Sequence, residues 1–191
     1  MFSRFWSRSS KPTYERFTTQ RVLLDKYGNG SNEGLCKPLA NKYVEMSLKG
    51  MEGEWLKKTD FEIYKDAVET ENYQYELDQK GQDGRHSAFE NLEHEDLLVE
   101  ENTITNPDNF EKFMGDSDCA IISYRQKGGD AHQVAFRKNK GSCAFFDANH
   151  VGGEIKGRCP LVRKFMSNSI RSEIENDSKA LIGLLKSSPK V

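Results

Sequence analysis

The chain has 191 residues, enough for one domain with or without a tail; 36% are hydrophobic, 30% are charged, and 11 Phe, 7 Tyr and 2 Trp can supply a core. A formal net charge of −2 argues against nucleic acid as a partner. No apolar run approaches the roughly 18 residues of a transmembrane segment, and residues 1–20 lack the apolar stretch and small-residue cleavage site of a Sec signal peptide.

Residues 1–26 set Arg4, Arg8, Lys11, Arg16, Arg21 and Lys26 against Glu15 and Asp25, a local +4 with no clean periodicity. They read as a flexible basic N-terminal arm, with a short helix or strand between Tyr14 and Leu24. A solvated tail is the plain account. The sharper one is a secretion, targeting or membrane-surface segment, and the Arg- and Ser-rich, acid-poor composition is also that of an organelle transit peptide. Residues 27–191 form the domain.

Residues 27–34 (YGNGSNEG) are a Gly/Asn loop, and a helix follows in which Leu39, Tyr43, Val44 and Met46 recur at helical spacing. Pro38 fits its first turn, where an amide N–H has no partner to lose. Asp60 to about Leu77 is a second helix, capped by Asp60, with Phe61, Tyr64, Ala67, Val68 and Tyr75 marking one face. Residues 79–88 are a turn, 89–99 a further short helix, and Asn109–Met114 one helical turn after Asn106-Pro107-Asp108. Residues 52–101 carry 16 Asp/Glu against 5 Lys/Arg, which a solvated face explains.

The pattern then changes to period two. Residues 118–125, 131–138 and 143–148 read as three strands of a meander joined by Gly-containing turns, with Gly153–Gly157 a short fourth strand. From Pro160, Leu161, Phe165, Ile170 and Ile174 are helical in spacing, and so are Ala180, Leu181 and Leu184 after a break near Asn176-Asp177. A helical first half packed on an antiparallel β-meander, with a C-terminal helix, is an α+β fold.

None of Cys36, Cys119, Cys143 and Cys159 forms a CxxC pair or a zinc spacing. Cys119 and Cys143 lie in apolar strands and read as small core residues, so a reduced compartment is expected rather than a disulfide framework. Cys36 differs. It follows Gly34 at a loop-to-helix junction, where unpaired N–H groups and the helix dipole favour a thiolate and offer an oxyanion site. A loop cysteine without a role is the alternative.

His132 stands on the middle strand among apolar neighbours, and Asp147 ends the run Phe145-Phe146-Asp147 on the adjacent strand. A hairpin can make imidazole and carboxylate face each other; a structural His and a turn-forming Asp are the plainer accounts. Together the three supply a thiol nucleophile, a base and an orienter. Asn32 and Asn29 are the amide side chains available as oxyanion donors, with turn roles as the alternative, and Gln20 is a third choice. His150 could be a backup base; His86 and His94 read as surface residues. No cofactor and no metal is expected.

Gly34-Leu35-Cys36-Lys37-Pro38-Leu39, Asp130-Ala131-His132-Gln133-Val134-Ala135 and Phe145-Phe146-Asp147-Ala148-Asn149 before a Gly-Gly-Glu run resemble the YopT/AvrPphB-type cysteine peptidases over roughly residues 30–160. The pattern departs at Tyr43, where the family has Trp nearby, at Ala148 in place of Pro, and at Gln133 in place of a small residue. The resemblance implies a papain-like fold, Cys36, His132 and Asp147 as the catalytic set, and a virulence effector secreted by bacteria into the host cell cytoplasm. It implies a host protein as substrate, and a secretion chaperone or secretion-apparatus component as a further partner. A cysteine protease is the first expectation. A glutamine deamidase or transglutaminase using the same residues, or a non-catalytic host-protein-binding effector, is the alternative.

Overall fold

Six strands form one antiparallel sheet in the computed structural model, which describes residues 17–30, 34–90, 97–102, 107–115, 117–175 and 180–185. The strands are β1 (Leu97–Asn102), β2 (Cys119–Arg125), β3 (Ala131–Asn139), β4 (Ser142–Phe146), β5 (Glu154–Arg158) and β6 (Ala180–Leu185), in the spatial order β1-β6-β2-β3-β4-β5. The expected meander is β2 to β5. The arm before Phe17, Asn32 and His94 lie outside the described residues.

Helices cover both faces. On one lie α1 (Gln20–Tyr27), α2 (Cys36–Leu48), α3 (Glu52–Trp55), α4 (Asp60–Gln79) and α5 (Ser87–Glu90); on the other lie α6 (Pro107–Met114) and α7 (Cys159–Glu173). Alternation along each strand decides which core a residue enters. Ile121, Ala135 and Phe146 join Leu39, Tyr43 and Val44 of α2, while Ala120, Ile122, Val134, Phe136 and Phe145 join Val162, Met166 and Ile170 of α7. Each fully buried Val, Leu, Ile, Phe or Met among them contributes about 1.5–3 kcal/mol.

Local chemistry explains the helix ends. Thr59, one residue before the expected Asp60, caps α4: its hydroxyl accepts from Glu62 N at 3.3 Å, and Glu62 Oε2 accepts from Thr59 N at 2.9 Å. Thr19 caps α1 in the same way, accepting from Val22 N. Residues 17–26, expected within a flexible arm, are packed instead. Phe17 is 2% exposed and meets the Phe146 ring edge-on at 5.5 Å, and Leu23 is buried. Positive φ and space both require glycine at Gly153 (φ 66°), where a Cβ would stand 2.8 Å from both Phe146 and Phe17.

Two expectations about secondary structure fail at the C-terminal end of the chain and at its pairing partner. Residues 180–185 (ALIGLL) are strand β6, not helix, and 97–102 are strand β1, not the end of a helix. β6 is paired on both sides, to β1 and β2. A strand of that kind is apolar throughout, so its spacing does not distinguish it from a buried helix.

Cys143 and Cys159 form a disulfide, which corrects the expectation of four reduced thiols. The bond joins β4 to the first residue of α7, sixteen residues on. Cys36 and Cys119 are free, and burial pushes the Cys119 thiol up to about 12.

Polar residues inside the fold are connected. Asn41 Nδ2 donates to Lys37 O, Arg85 O and Gln133 Oε1, and Asn41 Oδ1 accepts from Ala88 N. Gln133, the residue after His132, therefore ties the sheet to α2. Tyr43 stacks on Phe146 at 4.6 Å and donates to Glu154 Oε1 at 2.5 Å, and Arg137 bridges Glu154 and Glu52. His86 is fully buried, not a surface residue; its ring lies against Gly183 of β6, and burial holds its pKa below the ordinary value.

Candidate active site

The ends of six elements meet at one place. Gln20 begins α1, Cys36 begins α2, and His132 is the second residue of β3; Asp147 follows the last residue of β4, Tyr124 stands next to the last residue of β2, and Glu173 ends α7. Side chains at element ends can point into a cleft that the rigid sheet and helices hold in place.

Leu35 precedes α2 without a side-chain cap, and the first helical bond runs from Leu39 N to Leu35 O. The N–H groups of Cys36 and Lys37 are thus unpaired within the helix, and Pro38 has none. An anion beside Cys36 meets these N–H groups at the positive end of a 13-residue helix. Cys36 is 8% exposed, and its Sγ lies 3.9 Å from Ala131 O, next to His132 in the chain.

Between the buried side chains of His132 and Asp147, Nε2 lies 2.9 Å from Oδ1. Register explains the match. Phe146 opposes Ala135, so Asp147 continues the strand opposite Val134, on the same face as His132 two residues away. A turn fixes the carboxylate: Asn149 N donates to Oδ1 at 2.9 Å and His150 N to the Asp147 carbonyl at 3.0 Å. Burial disfavours charge on Asp147, but the hydrogen bond from His132 outweighs it and holds the carboxyl below its ordinary range. Burial likewise opposes charge on His132. Its hydrogen bonds to Asp147 and to Cys36 overcome that, and the ring pKa rises to about 10. The imidazole is therefore anchored on the carboxylate, and it keeps its proton through neutral pH.

The amide beside the sulfur is Gln20. Asn29 is exposed in a left-handed turn (φ 47°) after the far end of α1, about 12 Å along that helix from Gln20 at 1.5 Å per residue. A Cβ placed on Gly34 would lie 3.4 Å from Gln20 Oε1 and 3.9 Å from Cys36 Sγ, so the Gln20 amide and the sulfur flank the same glycine. Gln20 Nε2 donates to Asn149 Oδ1 at 2.5 Å. Rotation of the amide about its last bond, with Asn149 turned to match, aims the NH2 at the sulfur side. The Gln20 backbone N–H bonds Ala148 O at 2.7 Å, so the turn carrying Asp147 also places this amide.

His150 Nε2 lies 3.7 Å from Asp147 Oδ2, on the side of the carboxylate away from the His132 bond, so His150 addresses Asp147 rather than the sulfur. Asn149, His150, Val151, Ile155 and Phe165 line a depression of about 470 Å³ next to this turn. Of the residues gathered here, Tyr124 and Glu173 carried no signal in the sequence. Ligating atoms of His132, Asp147 and Glu173 lie within 4.8 Å of one another. A metal ion there would have to break the bond that already joins two of the three.

No family model matches the sequence, and no curated protein matches it. The crystal structure of the Pseudomonas avirulence protein AvrPphB is similar to this chain with a TM-score of 0.53, over 90% of this chain and 97% of that one, at 11% identity. Identity at that level speaks for the fold alone. The architecture is accordingly α+β and papain-like, a helical layer against an antiparallel sheet. Among the described residues no helix is long and apolar enough to cross a membrane.

Proposed function

We propose that the chain is a thiol hydrolase, a cysteine protease of the YopT/AvrPphB type that acts as a bacterial effector on a host protein. The observation that carries the reading is the His132 imidazole bonded to the buried Asp147 carboxylate, beside a Cys36 sulfur that starts a helix and lies 3.9 Å from the Ala131 carbonyl. The fold likeness to AvrPphB supports it. In this reading His132 takes the Cys36 thiol proton, and the thiolate attacks the carbonyl carbon, the C–S bond forming as the carbonyl electrons move to oxygen. Cys36 N–H and the Gln20 amide stabilise that oxygen. His132 gives its proton to the departing nitrogen as the C–N bond breaks, then takes one from the water that hydrolyses the thioester. Asp147 sets the tautomer and stabilises the imidazolium.

The test compares the full chain with Cys36→Ala on a eukaryotic cell lysate, reading new protein N-termini by mass spectrometry. Termini that appear only with the native chain are expected. A gain of about one mass unit at glutamine side chains, without new termini, assigns the deamidase chemistry that the same residues can perform. Identical lysates with both proteins refute an enzyme and leave a binding role.

A further inference from the structure

The triad needs one carboxylate, and the structure supplies two. Glu173 ends α7 and brings its carboxylate to the His132–Asp147 pair, with ligating atoms of all three residues within 4.8 Å. Its placement is built from both sides. Tyr124 Oη donates to Glu173 Oε2 at 2.7 Å and Gln126 Nε2 donates to the same oxygen at 3.0 Å, while Lys127 N donates to the Glu173 carbonyl at 2.8 Å. The two donors on Oε2, a phenol and a carboxamide, are both neutral. Tyr124 is also the cross-strand partner of His132, and the two rings meet edge-to-face at 5.5 Å and 88°. One tyrosine thus packs on the imidazole with its ring and anchors the second carboxylate with its hydroxyl.

We infer that Glu173 is a positioning residue of this site: through Tyr124 it fixes the plane of the His132 ring, and its negative charge helps keep that ring protonated. The inference rests on the reading of Cys36, His132 and Asp147 as a hydrolase. The groups that face His132 come from every side: Cys36 from α2, Tyr124 from β2, Asp147 with His150 behind it from the turn after β4, and Glu173 from α7. Like-signed carboxylates would repel each other without a cation between them. The imidazolium supplies that cation, so the arrangement is most stable with His132 charged.

The test is Glu173→Gln in the full chain. The carboxamide oxygen still accepts from Tyr124, and only the charge is removed. NMR of histidine-labelled protein follows the His132 ring from pH 5 to 11, its signal identified by its loss in His132→Gln. In the native chain the ring is expected to hold its proton to about pH 10. In Glu173→Gln the midpoint falls by about one pH unit, the scale of one nearby charge discounted for solvent. Tyr124→Phe, which keeps the ring and releases the carboxylate, gives a smaller fall in the same direction. It also supplies the comparison if Glu173→Gln does not fold. A midpoint unchanged in both variants overturns the inference, as does a loss of thermal stability with no change in midpoint. A native ring that titrates like free imidazole would instead refute the parent reading, so the two failures are distinguishable.

Discussion

Replacing Asp147 by Asn is the sharpest perturbation of this site, because it removes a charge and keeps the shape. Oδ1 can still accept from Asn149 N, the 2.9 Å bond that closes the turn, and from His132. What changes is the charge beside an imidazole that is 2% exposed. The ring pKa stands at about 10 instead of 6.5, with burial pulling it down and the hydrogen bonds to Asp147 and then Cys36 pulling it up. That rise corresponds to about 5 kcal/mol of preference for the charged ring. Once the carboxylate is neutral, burial is opposed only by Cys36 and the remaining charges, so the ring pKa falls and the protonated fraction at pH 7.5 drops. Hydrolysis is expected to fall about a thousandfold, and alkylation of Cys36 by iodoacetamide at least about tenfold. NMR titration of His132 and timed alkylation read by intact mass measure the two effects. Asp147→Ala separates charge from structure, since it also strips the acceptor from Asn149 N at an added stability cost of about 1–2 kcal/mol. If Asp147→Asn retains both a His132 midpoint near 10 and the native alkylation rate, the carboxylate does not govern the ring and the argument fails.

Two further outcomes test the framework that holds the site. Reduction of Cys143–Cys159 opens a sixteen-residue separation between β4 and α7, and chain-entropy reasoning predicts a loss of about 3 kcal/mol; thermal unfolding with and without a phosphine reductant should show it, and an unchanged midpoint would mean that packing alone fixes α7. Gly183→Ala puts a Cβ against His86 Cδ2 and 2.6 Å from His86 Nε2, in a strand paired on both sides. A destabilisation of about 3 kcal/mol in urea unfolding is expected, and a cost below about half a kcal/mol would show that the His86 ring can move aside.

Much of this protein was legible in its sequence, for a local reason. Helical spacing located α2 and α4, the Gly-containing turns located β2 to β5, and Cys36, His132 and Asp147 stand at the starts and ends of those elements. A short turn joins β3 to β4, so the pairing of His132 with Asp147 needs only a hairpin. The basic arm ends sooner than its charge pattern suggests: Phe17 looks like a tail residue until Trp55 and Phe146 are brought against it, and Leu23 is buried with it. Gly183 was the one local clue that ALIGLL is not a helix. Other features depend on where distant segments meet. Gln20 reaches Cys36 because its backbone N–H bonds the Ala148 carbonyl, far along the chain. Cys143 meets Cys159 because α7 starts where β4 passes, and Glu173 meets His132 because α7 is long enough to end beside Tyr124. Periodicity and turn chemistry report each segment's own preference, and these determine the elements and where Cys36, His132 and Asp147 stand on them. The Gln20 amide beside Cys36, the disulfide, the buried His86 and the Glu173 carboxylate beside His132 are long-range contacts, and only the packed sheet and its two helical layers decide them.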